Sequence, residues 1–126
     1  MASKKGRTIC VFSSKGGIGK TTTVLAMAGV YASMEKKVLI IDFDIFNGGI
    51  ALYLNKGTST TIYNLIDDLN NLRYTYLSDY VINYNDFIDY IASPKDPRQG
   101  IKISNKYVNT ILERAEYLYD IVLIDT

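Results

Sequence analysis

The ten residues "SSKGGIGKTT", Ser13 to Thr22, decide how the rest of the chain is read. They close on Gly19-Lys20-Thr21, the end of the phosphate-binding pattern G-x-x-x-x-G-K-S/T. Ser14 stands where that pattern has its first glycine, and a second lysine, Lys15, follows at once. A glycine-rich turn between a strand and a helix start is an anion site, because successive N–H groups point inward and the helix dipole adds positive potential. The flanks supply that context. "RTICVFS" (7–13) is a short β-branched and apolar run, read as a strand buried on both faces. After Lys20, Val24, Ala28 and Tyr31 recur at i, i+4 and i+7 with Leu25 and Ala32 alongside, the spacing of a helix packed on a sheet.

Further out, "KVLIIDF" (37–43) is a second buried strand that opens into the Asn47-Gly48-Gly49 loop. "TIYNLIDDL" (61–69) puts Ile62, Leu65, Ile66 and Leu69 on one helix face, with Thr60 or Thr61 as N-cap. Tyr76, Tyr80 and Tyr84 are spaced for one helical face, whereas "FIDYIAS" (87–93) alternates like a strand. The expected reading is a short helix, a turn at "NYND" and then a strand. Residues 105–118 read as a helix through Val108, Ile111, Leu112, Ala115 and Leu118, and "DIVLIDT" as a last buried strand. Apolar strands alternating with helices predict an α/β fold, a parallel sheet with helices on both faces and right-handed crossovers.

Composition narrows the chemistry. The 126 residues suffice for one domain, 48% apolar and 21% charged, with a net charge of +1 that gives no support for nucleic-acid or anionic-membrane binding. There is no histidine, which removes imidazole acid–base catalysis and most zinc sites. The single Cys10 cannot form an intramolecular disulfide and fits a reducing cytoplasm. "TICVF" is too short for a signal peptide or a membrane span. The eleven tyrosines are expected as half-buried packing residues spread over several elements.

In the loop, Gly16, Gly17 and Gly19 let the backbone wrap phosphates without Cβ clashes. Lys20 can reach the β- and γ-phosphates, and the Thr21 hydroxyl can ligate Mg²⁺. Asp42 and Asp44 sit two apart at a strand's C-terminal end, on the same side and beside the loop.

Together these residues resemble a known family. "KGGIGKTT" is similar to the deviant Walker A motif of the MinD/ParA family of P-loop ATPases, in which the lysine before the two glycines is the signature lysine. "VLIIDFD" resembles the family's second motif, and "YDIVLIDT" its Walker B strand. The resemblance runs over nearly the whole chain and implies ATP and Mg²⁺ as ligands. It implies nucleotide binding by Lys15, Gly16, Gly17, Ile18, Gly19, Lys20, Thr21 and Thr22. Lys15, Lys20 and Asp44 become the catalytic residues, with Asp44 positioning the attacking water. Thr21, Asp42 and Asp125 lie around the metal, Asp125 through water. Lys15 reaches across a nucleotide-sandwich homodimer to the partner's phosphates, as an arginine finger does. Activity is then a dimerisation-dependent ATP hydrolysis serving as a spatial switch, in a cytoplasmic protein that can sit peripherally at a membrane or cell pole.

Within the family, "IASPKDP" and the interval after Asp44 look most like the pilus-assembly and polar-localisation branch (CpaE/TadZ-like). "DFDI" matches the cell-division branch. Two alternatives remain open: a nucleotide-gated assembly module without turnover, and a bacterial tyrosine kinase. The kinases share this layout but lack the signature lysine.

Family members are roughly twice this long, so residues 1–126 resemble the N-terminal part of one P-loop ATPase domain. The chain alone is expected to bind nucleotide, to hydrolyse it poorly and to self-associate through strand edges and apolar helix faces left uncovered.

Overall fold

Among the described residues a five-stranded, mostly parallel sheet runs in the order β1-β5-β2-β4-β3. The computed structural model describes residues 5–11, 18–43, 60–92 and 105–125. In chain order the elements are β1 (Arg7–Val11), α1 (Ile18–Ser33), β2 (Val38–Asp42), α2 (Ile62–Asn70), a 3₁₀ turn (Leu77–Asp79), β3 (Ile82–Asn83), β4 (Ile88–Ile91), α3 (Asn105–Leu118) and β5 (Ile121–Asp125). The pairs β1–β5, β5–β2 and β2–β4 are parallel, while β3 runs antiparallel to β4.

The apolar runs form strands because both faces of the sheet are covered. β2 and β5 are buried at every position. On one face Val38, Ile40, Ile88, Tyr90, Ile121 and Leu123 pack with Val24 and Ala28 of α1. On the other, Leu39, Ile41, Ile91 and Val122 pack with Ile62, Leu65 and Ile66 of α2 and with Ile111 and Ala115 of α3. Each fully buried aliphatic side chain contributes about 1.5–3 kcal/mol, so these two layers hold the sheet between its helices. Among the helix positions read from spacing, Leu69, Leu112, Leu25, Tyr31 and Ala32 pack at the core margins, but Leu118 is 53% exposed and Tyr119 takes the inward place instead.

Three connections hold the framework in register. Thr61 is the N-cap of α2: its Oγ1 accepts from the Tyr63 N–H at 3.2 Å, and its own N–H donates to Asn64 Oδ1 at 2.9 Å. Asp120 joins the start of β5 to that of β2, its Oδ2 accepting from the Lys37 N–H at 2.8 Å. Gly6 lies so close to the Tyr119 carbonyl that a Cβ there would fall 1.9 Å from the oxygen, so only glycine lets β1 enter beside β5.

Two expectations are corrected. The tyrosine-spaced segment is no helix beyond the single 3₁₀ turn. Tyr80 is buried while Tyr76 and Tyr84 are exposed, because Tyr80 stacks on Tyr74 at 5.9 Å and donates to Asp68, turning the segment back onto α2. β1 is not buried on both faces: Arg7 and Cys10 are exposed, because it is an edge strand among the described residues. "SPKDPRQG" and the Asn47-Gly48-Gly49 loop lie outside the described residues.

Candidate functional site

The parallel sheet sends three strands to one end together. Val11 of β1 is in register with Asp125 of β5, and Asp125 with Asp42 of β2. Side chains alternate along a strand, so Asp42 shares the face of Val38 and Ile40, and Asp125 that of Ile121 and Leu123. That is the face covered by α1. The helix runs back across it from Ile18, a few residues after Val11, so its N-terminal end lies at the same end of the sheet as the two carboxylates.

Both acids are buried, Asp42 at 1% and Asp125 at 0% exposure, and both take part in polar or electrostatic contacts. The Phe43 N–H donates to the Asp125 carbonyl at 2.9 Å, fixing the chain as it leaves β2. In-register neighbours on adjacent strands stand about 5 Å apart, and two charges at that spacing repel by about 3 kcal/mol at an effective dielectric of 20. Buried carboxylates so placed need compensating positive charge. The α1 N-terminus supplies a partial one through its helix dipole and the N–H groups of its first turn. The donor set also fits a hard divalent cation of the Mg²⁺ type, which takes oxygen ligands and keeps several waters. No third His, Cys, Asp or Glu joins them as a metal-binding cluster among the described residues.

The sequence-predicted residues distribute as follows. Asp42 and Asp125 are brought side by side. Ile18, Gly19, Lys20 and Thr21 form the first turn of α1. Thr22 is exposed on the next turn and lines a groove with Thr23, Ala26 and Met27. Lys15, Gly16, Gly17 and Asp44 lie outside the described residues. What the residue patterns did not reveal is the adjacency of Asp42 and Asp125, eighty-odd positions apart in the chain, because it depends on β5 inserting between β1 and β2.

Comparison with known proteins agrees with this arrangement. Residues 6–126 match the AAA_31 family, described as an AAA domain. A putative septum site-determining protein MinD of Emiliania huxleyi is 28% identical over 121 residues, which cover 95% of this chain and 43% of that protein. The ParA family ATPase from Chlorobium tepidum TLS superposes with a TM-score of 0.81 at 22% identity, over 98% of this chain and 51% of its own. The septum site-determining protein MinD of Pyrococcus horikoshii OT3, solved with Mg-ADP, superposes with a TM-score of 0.75 at 25% identity, over 95% of this chain and 48% of its own. The chain thus spans about half the length of these relatives. No helix is long and apolar enough to cross a membrane among the described residues. The chain belongs to the AAA_31 family of AAA domains, within its MinD/ParA group of P-loop ATPases.

Proposed function

We propose that residues 1–126 form the nucleotide-binding part of a Mg-ATP-dependent switch that positions or partitions cellular structures, with hydrolysis completed by a second subunit. The observation that carries this reading is the buried Asp42–Asp125 pair at the α1 end of the sheet. Two hard oxygen donors beside a helix N-terminus suit a metal–polyphosphate: the helix end and Lys20 take the phosphates, and the acids hold the hydrated cation. Bound Mg²⁺ would neutralise phosphate charge and present the γ-phosphoryl group to attack. Asp44 orients the attacking water, and Lys15, delivered from the partner, stabilises charge on the transferring group.

The cargo, whether septum, replicon or pilus apparatus, follows from resemblance and from relatives named for septum placement. It is part of the proposal. Phosphate release measured against protein concentration tests the two-subunit mechanism. Turnover is expected to be slow and to rise faster than linearly, with Lys15→Ala removing the rise while nucleotide still binds. Turnover strictly linear in protein and indifferent to Lys15→Ala would overturn catalysis in trans. Binding with no turnover at all would leave a nucleotide-gated assembly module.

A further inference from the structure

Phe43 is the first residue after β2 and follows Asp42 directly. Side chains alternate along the strand, so Phe43 shares the face of Leu39 and Ile41, opposite that of Asp42. Its half-buried ring packs against the cluster that those two form with Ile62, Leu65, Ile91 and Val122. The sheet itself sets the seat for the ring. Ile41 is in register with Ile91, so Ala92 is level with the end of β2, and the Ala92 carbonyl accepts from the Ile62 N–H at 2.7 Å. The first turn of α2 is therefore fixed beside the place where β2 ends.

The main chain of Phe43 is tied as well. Its N–H donates to the Asp125 carbonyl at 2.9 Å, one step beyond the last paired residues of β2 and β5, which are Asp42 and Asp125. Ring and N–H thus hold one residue from two directions, next to a carboxylate that is itself buried. The need for both follows from the charges. Two carboxylates on adjacent strands push those strands apart, and a single main-chain hydrogen bond contributes less than that repulsion. Seating an aromatic side chain adds apolar burial to the bond and keeps the end of β2 from splaying away from β5.

We infer that Phe43 is a positioning residue for the Asp42–Asp125 pair: seated beside α2, it keeps the two carboxylates level so that they can hold one hydrated divalent cation beside a polyphosphate. Its ring lies on the opposite face of the sheet from the acids, so it acts through the backbone of Asp42 rather than on the ligand. The inference rests on the Mg-ATP reading of the site given above. It also ties the packing of α2 to the metal side of the sheet, since ring and carboxylate are consecutive side chains at one strand end.

Calorimetric titration of ATP into the chain, across a series of Mg²⁺ concentrations and in EDTA, tests the inference. Phe43→Ala is expected to leave ATP affinity in EDTA unchanged. It should raise the Mg²⁺ concentration needed for half-maximal tightening of ATP binding about tenfold or more, as loss of a group that orients a metal ligand does. Phe43→Leu, which keeps an apolar side chain in the seat, should restore most of the Mg²⁺ response. Leu112→Ala trims the same cluster from α3 and should lower the unfolding midpoint without moving the Mg²⁺ requirement. A Phe43→Ala chain with an unchanged Mg²⁺ requirement overturns the inference, and so does a Leu112→Ala chain that shifts it as far. An unaltered chain that fails to bind ATP, or binds it without any response to Mg²⁺, overturns the metal–nucleotide site itself, a failure distinct from that of Phe43. Should Phe43→Ala lose its circular dichroism, Phe43→Val decides: a smaller shift of the same sign supports the inference and no shift overturns it.

Discussion

Three acids show how neighbours alter a carboxylate's work. Asp42 and Asp125 are buried side by side at the end of the sheet, whereas Asp68 accepts from Tyr80 and is paired with Arg73 at 3.2 Å. The Tyr80 hydrogen bond holds the Asp68 carboxyl below its ordinary value, with Arg73 adding to the effect. Burial, followed by that same carboxylate, pushes the Tyr80 phenol up to about 12. Tyr119 is likewise raised by burial and by its bond to Asp89. For Tyr80 the folded state holds the proton more tightly than the unfolded chain. Its contribution is therefore complete below the ordinary phenol value of 10.0 and lost as pH rises towards 12. For Asp68 the sign is opposite, with stability present above 3.8 and lost as pH falls below it. Urea midpoints are expected to be level through neutral pH and to fall above about pH 10, with a smaller alkaline fall in Tyr80→Phe. An identical fall in that variant would contradict the assignment. At this scale the residue patterns placed Asp42 and Asp125 at strand ends, and only the resemblance put them near each other. Asp42 meets Asp125 only through a pairing of strands remote in the chain.

Among the elements, those with long apolar or 3.6-periodic runs were legible in advance. β2, β5, α1, α2 and α3 all form close to where their patterns predict. The Tyr76–Tyr84 segment was not, because its outcome rests on contacts made elsewhere: the Tyr74–Tyr80 stack, the bond to Asp68 and Arg114 lying 4.8 Å over the Tyr74 ring. β3, at two residues, is too short to leave a periodic signal and exists by pairing with β4. The N-cap of α2 was legible as Thr60 or Thr61, and only geometry selects Thr61. Removing that cap isolates its contribution. Thr61→Ala is expected to lower unfolding free energy by about 1 kcal/mol in urea titrations, with Thr60→Ala near neutral. Equal effects of the two would place the cap wrongly.

At the scale of the molecule, the three-layer arrangement was legible because continuous apolar strands need cover on both faces. The place of β1 at the margin of the described sheet was not. An apolar run looks the same at the centre of a sheet and at its margin, and β1 was read as fully buried although Cys10 and Arg7 are exposed. The last strand lies between β1 and β2 with both edges occupied. The same insertion assembles the candidate site, because it buries Asp125 beside Asp42. Binding should then be linked to folding. A ligand at one hundred times its Kd adds about 2.7 kcal/mol of stability. The most direct test is the shift in thermal unfolding midpoint produced by Mg-ATP, compared with ATP in EDTA, for the unaltered chain, Lys20→Ala and Asp125→Asn. The account predicts a clear upward shift that requires Mg²⁺ in the unaltered chain. The shift should be lost in Lys20→Ala, and in Asp125→Asn its dependence on Mg²⁺ should be lost. An unaltered chain indifferent to Mg-ATP, or an Asp125→Asn variant that retains the full Mg²⁺-dependent shift, would contradict it.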